Sequence, residues 1–397
     1  MIRRHWDFFL SCLLAFTAGH IINYSVIIYS QEVLRSDLLA GVGFGLCFGP
    51  PLLLGWYAGV LCDRHAPDRI IHIAQGLFVL AALTMAVADH FMNQVSARTP
   101  FILVAALLAG IGWSFVAPAR MTALGQIVGT EALRRASLIF NLLVMLGFGL
   151  GPIAISVCRP RAGWQGVFLF AAALFVIGSA LLLKVRTQAM HKSHLPVRKE
   201  IMIGLRAARS NSLLAQLLVT AMFGYMLMGP MQVILPRLAR TSLGLTELGR
   251  GAFLGTLAPA LIAGGLLCLV VARRLSHGKI IFAASGLSGV LFAAMGLAPS
   301  PVIAFGLLAC VGMLGGIAIS LIVTGIQENV EQSVRGRVLS MYTIISQVIP
   351  AASGLIAGAL THAFDAQRAV LICGCVLATA AVVNAFRMHT LRDYRGY

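Results

Sequence analysis

Neutral polar side chains interrupt several long apolar runs of this sequence. The set comprises His20, Asn23, Tyr24, Gln75, Tyr225, Gln232 and Gln347. Each can donate or accept hydrogen bonds, and each is costly in a bilayer unless it faces a cavity or a partner. His20 precedes Asn23 by three residues and Tyr24 by four, so a helix places these three on one face. The set predicts the lining of a cavity for a small solute, and hydrogen bonding between helices is the alternative.

The composition excludes a soluble enzyme. Of the 397 residues, 59% are hydrophobic and 11% are charged, against about 25% charged in soluble domains. The mean hydropathy is +0.91. We find no nucleophile–base pair, metal cluster or phosphate loop, so we expect no catalytic residues, no metal and no cofactor. The protein is therefore expected to be an all-α membrane protein.

Runs without charged residues define the elements that must position the polar set. A membrane-spanning helix needs about 17–25 apolar residues. The 48-residue run at 280–327 is broken by Pro299-Ser300-Pro301 and predicts two helices. The sequence thus predicts twelve spans, from the runs 8–30, 38–62, 70–88, 99–119, 136–158, 162–183, 210–236, 251–272, 280–327, 338–364 and 369–386.

The distribution of positive charge predicts the orientation. If the N-terminus is cytoplasmic, 22 of the 30 Lys and Arg residues lie in inside segments. Because basic residues are retained in the cytoplasm during insertion, both termini are expected to be cytoplasmic in a multi-pass protein of the cell (inner) membrane. The net charge of +17 then reflects topology, so we expect the lipid bilayer and no nucleic acid as a partner.

One long connection divides the spans into two groups of six. We expect an N-terminal six-helix half at 1–183, a cytoplasmic linker at 184–211 and a C-terminal six-helix half at 212–397. Within the linker, residues 204–209 predict an amphipathic helix on the inner leaflet, and a solvated linker is the alternative.

Two loop motifs carry a family resemblance. One is Gly59-Val60-Leu61-Cys62-Asp63-Arg64, and the other combines Pro118-Ala119-Arg120, Glu131-Ala132-Leu133, Asn141 and Arg335-Gly336-Arg337. Together they resemble the major facilitator superfamily, and within it the macrolide-efflux and enterobactin-exporter branch. The resemblance covers essentially the whole chain and implies transport between two rocking halves. It implies a conformational latch formed by Gly59, Asp63, Arg64, Arg120, Glu131, Arg335 and Arg337, with an ordinary topogenic loop as the alternative.

A third motif lies in the fifth span. Gly147, Gly151 and Pro152 resemble the helix-5 motif of the superfamily's antiporters, which implies a flat face that seals the inner ends of the halves. Generic helix packing is the competing interpretation. The resemblance also implies a neutral, zwitterionic or anionic solute, since exporters of cations often hold a carboxylate in the cavity and no Asp or Glu lies near the middle of a span.

Energy must come from a gradient, because no nucleotide-binding motif is present. Of the polar residues at membrane depth, only His20 has an ordinary pKa, about 6.5, near neutrality. We therefore expect His20 to couple transport to protons, with a simple hydrogen bond as its alternative role; Asp63 and Glu131 are other candidate carriers. The expected protein is a monomeric, proton-coupled efflux transporter for a siderophore, antibiotic or metabolite. An importer and a non-transporting membrane protein remain the alternatives.

Overall fold

The computed structural model describes residues 5–189, 197–271, 276–331 and 334–395, apart from the side chains of residues 59, 60, 63, 129–131, 197, 198, 200 and 201. All regular structure in these ranges is helical. The first five helices are α1 (Trp6–Glu32), α2 (Asp37–Phe48), α3 (Pro51–Arg64), α4 (Pro67–Phe91) and α5 (Val95–Leu182).

Ten further helices follow in the chain. They are α6 (Val197–Ser210), α7 (Ser212–Tyr225), α8 (Met228–Thr241), α9 (Glu247–Gly255), α10 (Leu257–Val271), α11 (His277–Met295), α12 (Pro301–Glu328), α13 (Arg335–Ala363), α14 (Ala366–Arg387) and α15 (His389–Arg392). Prolines and caps set several of their ends. Ser300 caps α12, since its hydroxyl accepts a hydrogen bond from the Ile303 N–H, and Pro301 occupies the first turn. The predicted break in the 280–327 run is therefore confirmed.

The helix α5 comprises several spans. It includes two membrane-length apolar segments, Val95–Val128 and Ala132–Leu182, and the second is 51 residues long. Gly163 has a φ of +61°, a left-handed conformation that a continuous α-helix does not contain. The chain therefore turns within Ala132–Leu182.

Packing on the two sides of this turn shows that the chain reverses its direction. A Cβ at Gly147 would meet Phe16, and Arg159 pairs with Glu32, so this part of α5 runs parallel to α1. Beyond the turn, Gln165 donates to the Ala86 carbonyl, and Gly178 lies beside Gln75, so that part runs antiparallel to α4. Ala132–Leu182 thus contains two spans. The eleven candidate spans of the described chain become twelve, as predicted.

Three spans are interrupted within the membrane-length segments. Gly49 and Pro50 separate α2 from α3, residues 226 and 227 separate α7 from α8, and Thr256 separates α9 from α10. At such interruptions, backbone groups lose their partners within the helix. In transporters, interrupted spans often lie at binding sites.

The chain packs into two compact units. The first contains Met1–His194 and Thr246–Gly255, and the second contains Leu195–Leu245 and Thr256–Tyr397. The segment Thr246–Gly255 therefore packs with the first unit although the chain on both sides of it belongs to the second. Nothing in the sequence indicates this grouping.

Each unit has its own apolar core. In the first unit, Phe78 stacks on Phe175 with ring centroids 4.7 Å apart. In the second, Leu217, Ile281 and Ile326 are fully buried in one cluster. The linker helix α6 packs on α13 within this unit, since a Cβ at Gly204 would lie 3.3 Å from Cβ of Arg337, while Arg206 and Arg209 are exposed.

Candidate functional site

His20 lies in an aromatic enclosure in the first unit. Its ring centroid is 5.2 Å from that of Trp113 and 5.1 Å from that of Phe148. Gly151 of α5 packs on the α1 backbone at His20, where a Cβ would come within 3.0 Å of the carbonyl carbon. The His20 Nδ1 atom is buried and has no hydrogen-bond partner among the described residues.

Trp113 organises the surroundings of His20. Its indole N–H donates to Oδ1 of Asn23 at 3.2 Å, and its ring stacks on Phe16 at 6.2 Å. Gly19 is required opposite this ring, because a Cβ there would lie 2.6 Å from the indole. Tyr24 packs against Phe148 one helical turn beyond His20. The structure therefore brings His20, Asn23 and Tyr24 into one cluster built around Trp113, which the sequence did not single out.

Arg120 is fully buried in the same unit. Its guanidinium donates to Cys12 Sγ at 3.0 Å and to Ser11 Oγ at 3.1 Å, and it lies 5.9 Å from the centroid of Phe16. Among the described side chains no carboxylate contacts it. A buried cation with neutral partners is energetically expensive.

Five of the seven predicted cavity residues have unsatisfied polar atoms. Buried atoms without a partner among the described residues occur on His20, Asn23, Gln75, Gln232 and Gln347. Such atoms cost free energy in the folded state, so native proteins retain few of them. Gln75 lies beside Gly178 near Ser11, whereas Gln232 and Gln347 belong to the second unit.

Tyr225 hydrogen-bonds within the second unit. Its hydroxyl lies 2.6 Å from that of Tyr342, and their ring centroids are 5.8 Å apart. Tyr225 is the last residue of α7, beside the interruption before α8. The seven predicted cavity residues are thus divided between the units, with four in the first and three in the second.

Four charged residues form a cluster of ion pairs in the first unit. Arg159 pairs with Glu32 at 2.5 Å and with Glu247 at 3.2 Å. Arg250 pairs with Glu32 at 2.6 Å and with Glu247 at 3.1 Å. The side chain of Glu32 is 10% exposed and both arginines are 20% exposed, so these pairs are partly shielded from water. The sequence offered only a weak signal for this cluster: charges at the ends of three separate spans.

The helix α9 packs closely on α5 next to this cluster. A Cβ at Gly251 would lie 2.9 Å from the Pro152 carbonyl oxygen, and one at Gly255 would lie 3.1 Å from the Gly149 carbonyl oxygen. Ser156 and Ile153 complete the contact on α5. Small residues four apart allow this close approach, and it places a segment from the second half of the sequence on the first unit.

The predicted helix-5 residues therefore divide between two faces. Gly147 packs on the α1 backbone at Phe16 and Thr17, and Gly151 packs on it at His20 and Ile21. Pro152 faces α9 through its carbonyl oxygen. This contact lies toward the Glu32 end of α1, which is the outer end in the predicted orientation, whereas the resemblance implies packing at the inner ends.

The predicted latch residues have different environments. Arg64 and Arg335 are exposed, Arg337 is partly buried beside α6, and Arg120 is fully buried. The side chains of Gly59, Asp63 and Glu131 lie outside the described part of the chain. Nearby, Thr187 donates to Asp68 at 2.5 Å and Gln126 exchanges hydrogen bonds with the Gln188 backbone. The end of the sixth span is therefore held to the loops that carry the motifs.

Twelve apolar spans in two compact units, with buried polar clusters at membrane depth, define a multi-pass membrane protein of the secondary-transporter class. Residues 8–354 match the Major Facilitator Superfamily, and the chain belongs to this family. It is a transporter and not an enzyme. No curated protein sequence matches it.

Solved structures of transporters share the fold. A POT family transporter in complex with 5-aminolevulinic acid is similar with a TM-score of 0.76 at 12% identity, covering 98% of this chain and 96% of that one. A mutant of the nucleoside transporter NupG gives 0.75 at 14% identity, covering 98% and 99%. A bacterial homologue of the human lysosomal transporter Spinster, inward-facing and unoccupied, gives 0.74 at 15% identity, covering 98% of both chains. At these identities the likeness establishes the fold alone.

Proposed function

We propose that the protein exports a small amphipathic solute in exchange for protons, by alternating access of a membrane-embedded cavity to the two sides of the membrane. The observation that carries the proposal is the attachment of α9 to the first unit. This helix binds α1 and α5 through the Glu32 cluster and through Gly251 and Gly255. It continues through Thr256 into α10, which belongs to the second unit.

This attachment has the properties of a reversible contact. The charged side chains of the cluster are 10–33% exposed, so water can reach them when the pairs separate. The glycines of α9 have no bulky side chains to withdraw from pockets. We infer that the transport cycle releases α9 from α5 and later restores this contact. In the predicted orientation the contact lies at the outer side, so its release would open the outward path.

Proton coupling is assigned to His20. The unpartnered Nδ1 can accept a proton, and no described carboxylate lies among the residues that enclose it. Gly151 and Phe148 contact His20 on the same helix, α5, that binds α9. A charge gained or lost at His20 would therefore act on α5. The other face of α5 makes the reversible contact with α9.

Export rests on the resemblance of the loop motifs and of Gly147, Gly151 and Pro152 to exporters. The candidate solutes are siderophores, antibiotics and metabolites. The lack of a described carboxylate near the middle of a span favours a neutral, zwitterionic or anionic solute over a cation.

The test is proton flux in reconstituted vesicles. Purified protein is inserted into liposomes with an imposed pH gradient, and a trapped pH-sensitive dye reports protons moving as candidate solutes are added. An exporter dissipates the pH gradient only when its solute is present. The solute then crosses the membrane in the direction opposite to the protons. Uptake in cells that overexpress the protein would identify an importer. Absence of solute-dependent flux with every class would favour the non-transporting alternative.

A further inference from the structure

A cavity lies inside the second unit, within its helix bundle. Its volume is about 40 Å³, and its lining includes Tyr225, Met228, Leu261, Ser288, Gly315 and Tyr342. None of the described residues that line it carries a charge. The cavity is therefore suited to an uncharged group.

Two interrupted spans meet at this cavity. Gly224, Tyr225, Leu227 and Met228 line it on both sides of the α7–α8 interruption. Leu257, the first residue of α10, lines it beside the α9–α10 interruption. An interrupted helix costs backbone hydrogen bonds in a membrane, and transporters use such interruptions at binding sites.

Polar atoms at the cavity can bind a hydrogen-bonding group. The Ser288 side chain is 4% exposed, and its Oγ has no partner among the described residues. At the partly exposed side, the Tyr225 and Tyr342 hydroxyls share one hydrogen bond, which leaves one O–H free to donate. Donors are thus available beside an otherwise apolar surface.

We propose that this cavity is a subsite that holds one uncharged, branched aliphatic group of the transported solute, joined to a hydrogen-bond acceptor such as an amide or ester carbonyl. The inference rests on the proposed function and narrows its substrate class. The volume limits the size of the group: one water needs about 10–15 Å³, so a cavity of about 40 Å³ takes a small group of a few heavy atoms. An isopropyl group fits this limit and a polycyclic group does not.

The test measures binding of isobutyramide to the purified full-length protein in lipid nanodiscs by saturation-transfer NMR. This amide combines an isopropyl group with a carbonyl acceptor. We expect isobutyramide to bind at least tenfold more tightly than acetamide, which lacks most of the apolar group. We expect no saturable binding of adamantane-1-carboxamide, which exceeds the cavity.

A matched pair of substitutions on α12 locates the binding. A Cβ at Gly315 would meet Leu261 at an ordinary 3.6 Å, so Gly315→Leu can be accommodated by filling the cavity. Gly306 lies on the same helix away from the cavity, with nothing within 4 Å of a Cβ, and Gly306→Leu is the control. We expect Gly315→Leu to weaken isobutyramide binding at least tenfold and Gly306→Leu to leave it unchanged. If Gly315→Leu fails to fold, Gly315→Ala should weaken binding about threefold.

Equal binding to both variants, absence of isobutyramide binding, or equally tight binding of the adamantane amide would overturn the subsite. Failure of the proposed function is distinguishable from failure of the subsite. Solute-driven proton flux without isobutyramide binding would overturn the subsite alone. Isobutyramide binding that Gly315→Leu removes, without proton flux for any solute, would overturn the transport proposal and leave a ligand site.

Discussion

Glu32 and Arg250 are 218 residues apart in the chain, and Nη1 of Arg250 lies 2.6 Å from Oε1 of Glu32. Arg159 binds the second carboxylate oxygen of Glu32 at 2.5 Å. One glutamate at the end of α1 therefore joins the fifth span to a helix from the second half of the sequence. Because both arginines also pair with Glu247, removing the charge of Glu32 would leave two arginines with one carboxylate between them in this cluster.

Neutralising Glu32 is expected to weaken the attachment of α9. Loss of charged hydrogen bonds of this kind costs about 1–3 kcal/mol, and 1.4 kcal/mol is a factor of ten in an equilibrium. In a background without native cysteines, Ser156→Cys reports the contact, since Ser156 is 6% exposed and faces Gly251. Glu32→Gln should raise its labelling rate by an impermeant maleimide about tenfold.

The matched control for this charge change is Asp365→Asn. Asp365 also pairs with an arginine, Arg368, but both side chains are largely exposed, at 48% and 74%. Exposed pairs contribute little, so this variant should leave the labelling of Ser156→Cys unchanged. Equal labelling in Glu32→Gln and the parent protein would show that the cluster does not hold α9.

A bulky residue at Gly251 is expected to keep α9 away from α5. Gly251→Leu would clash with Ser156 and with the Pro152 carbonyl, which belongs to the backbone and cannot move aside cheaply. Solute-dependent proton flux should fall below about a tenth of the parent rate while the protein remains in the membrane. Gly76→Leu, on an exposed face of α4 with nothing within 4 Å, is the control and should transport normally. Normal flux in Gly251→Leu would exclude this contact from the cycle.

Removing the titratable group at His20 should separate proton coupling from solute movement. His20→Gln keeps a polar side chain but cannot hold a proton near neutral pH. We expect transport driven by a pH gradient to be lost and exchange of labelled for unlabelled solute to persist. His362→Gln, at an exposed position of α13, should behave as the parent. Gradient-driven transport at the parent rate in His20→Gln would show that a residue other than His20 couples transport to protons.

Truncating Trp113 is expected to destabilise the first unit. Trp113 is 7% exposed, and truncation would leave a void against Gly19 and remove the hydrogen bond to Asn23. A buried Trp→Ala change costs about 3–5 kcal/mol. The apparent melting temperature of Trp113→Ala in detergent should fall well below that of Trp6→Ala, whose parent side chain is 55% exposed. Similar melting temperatures for the two variants would contradict the organising role of Trp113.

The predicted orientation can be tested by single cysteines at exposed positions. Ser96→Cys and Arg240→Cys should react with an impermeant thiol reagent from outside intact cells, and Ser210→Cys should react only after the membrane is opened. The parent protein should carry no native cysteines in this assay. Labelling of Ser210→Cys from outside would reverse the assignment of both termini.

The spans were predictable because they depend on local composition. Apolar runs and the Pro299–Pro301 break give twelve helices, and the structure confirms them. The turn at Gly163 was also visible as a short gap between the runs 136–158 and 162–183. A residue's own type and its neighbours were sufficient evidence in each case.

The arrangement of the site was less predictable because it depends on tertiary contacts. The spacing of His20, Asn23 and Tyr24 places them on one face, but no sequence rule chooses Trp113 as the ring that packs against them. The pairing of Arg159 and Arg250 with one glutamate requires that the ends of three spans meet. Counting charges on each side of the membrane uses these arginines to predict the orientation of the spans, and it does not predict their ion pairs.

Gly147 and Gly151 pack on α1 within the first unit, while Gly149, Pro152 and Ser156 of the same helix meet α9. Enlarging neighbouring residues of α5 is therefore expected to have different consequences on the two faces. An enlarged residue on the α1 face should reduce the amount of folded protein, whereas one on the α9 face should leave the amount unchanged and alter activity. A mutational scan of α5 could measure both the amount of folded protein and the rate of transport for each variant. We expect the positions that reduce the amount and the positions that change only the rate to alternate along α5 with the period of the helix.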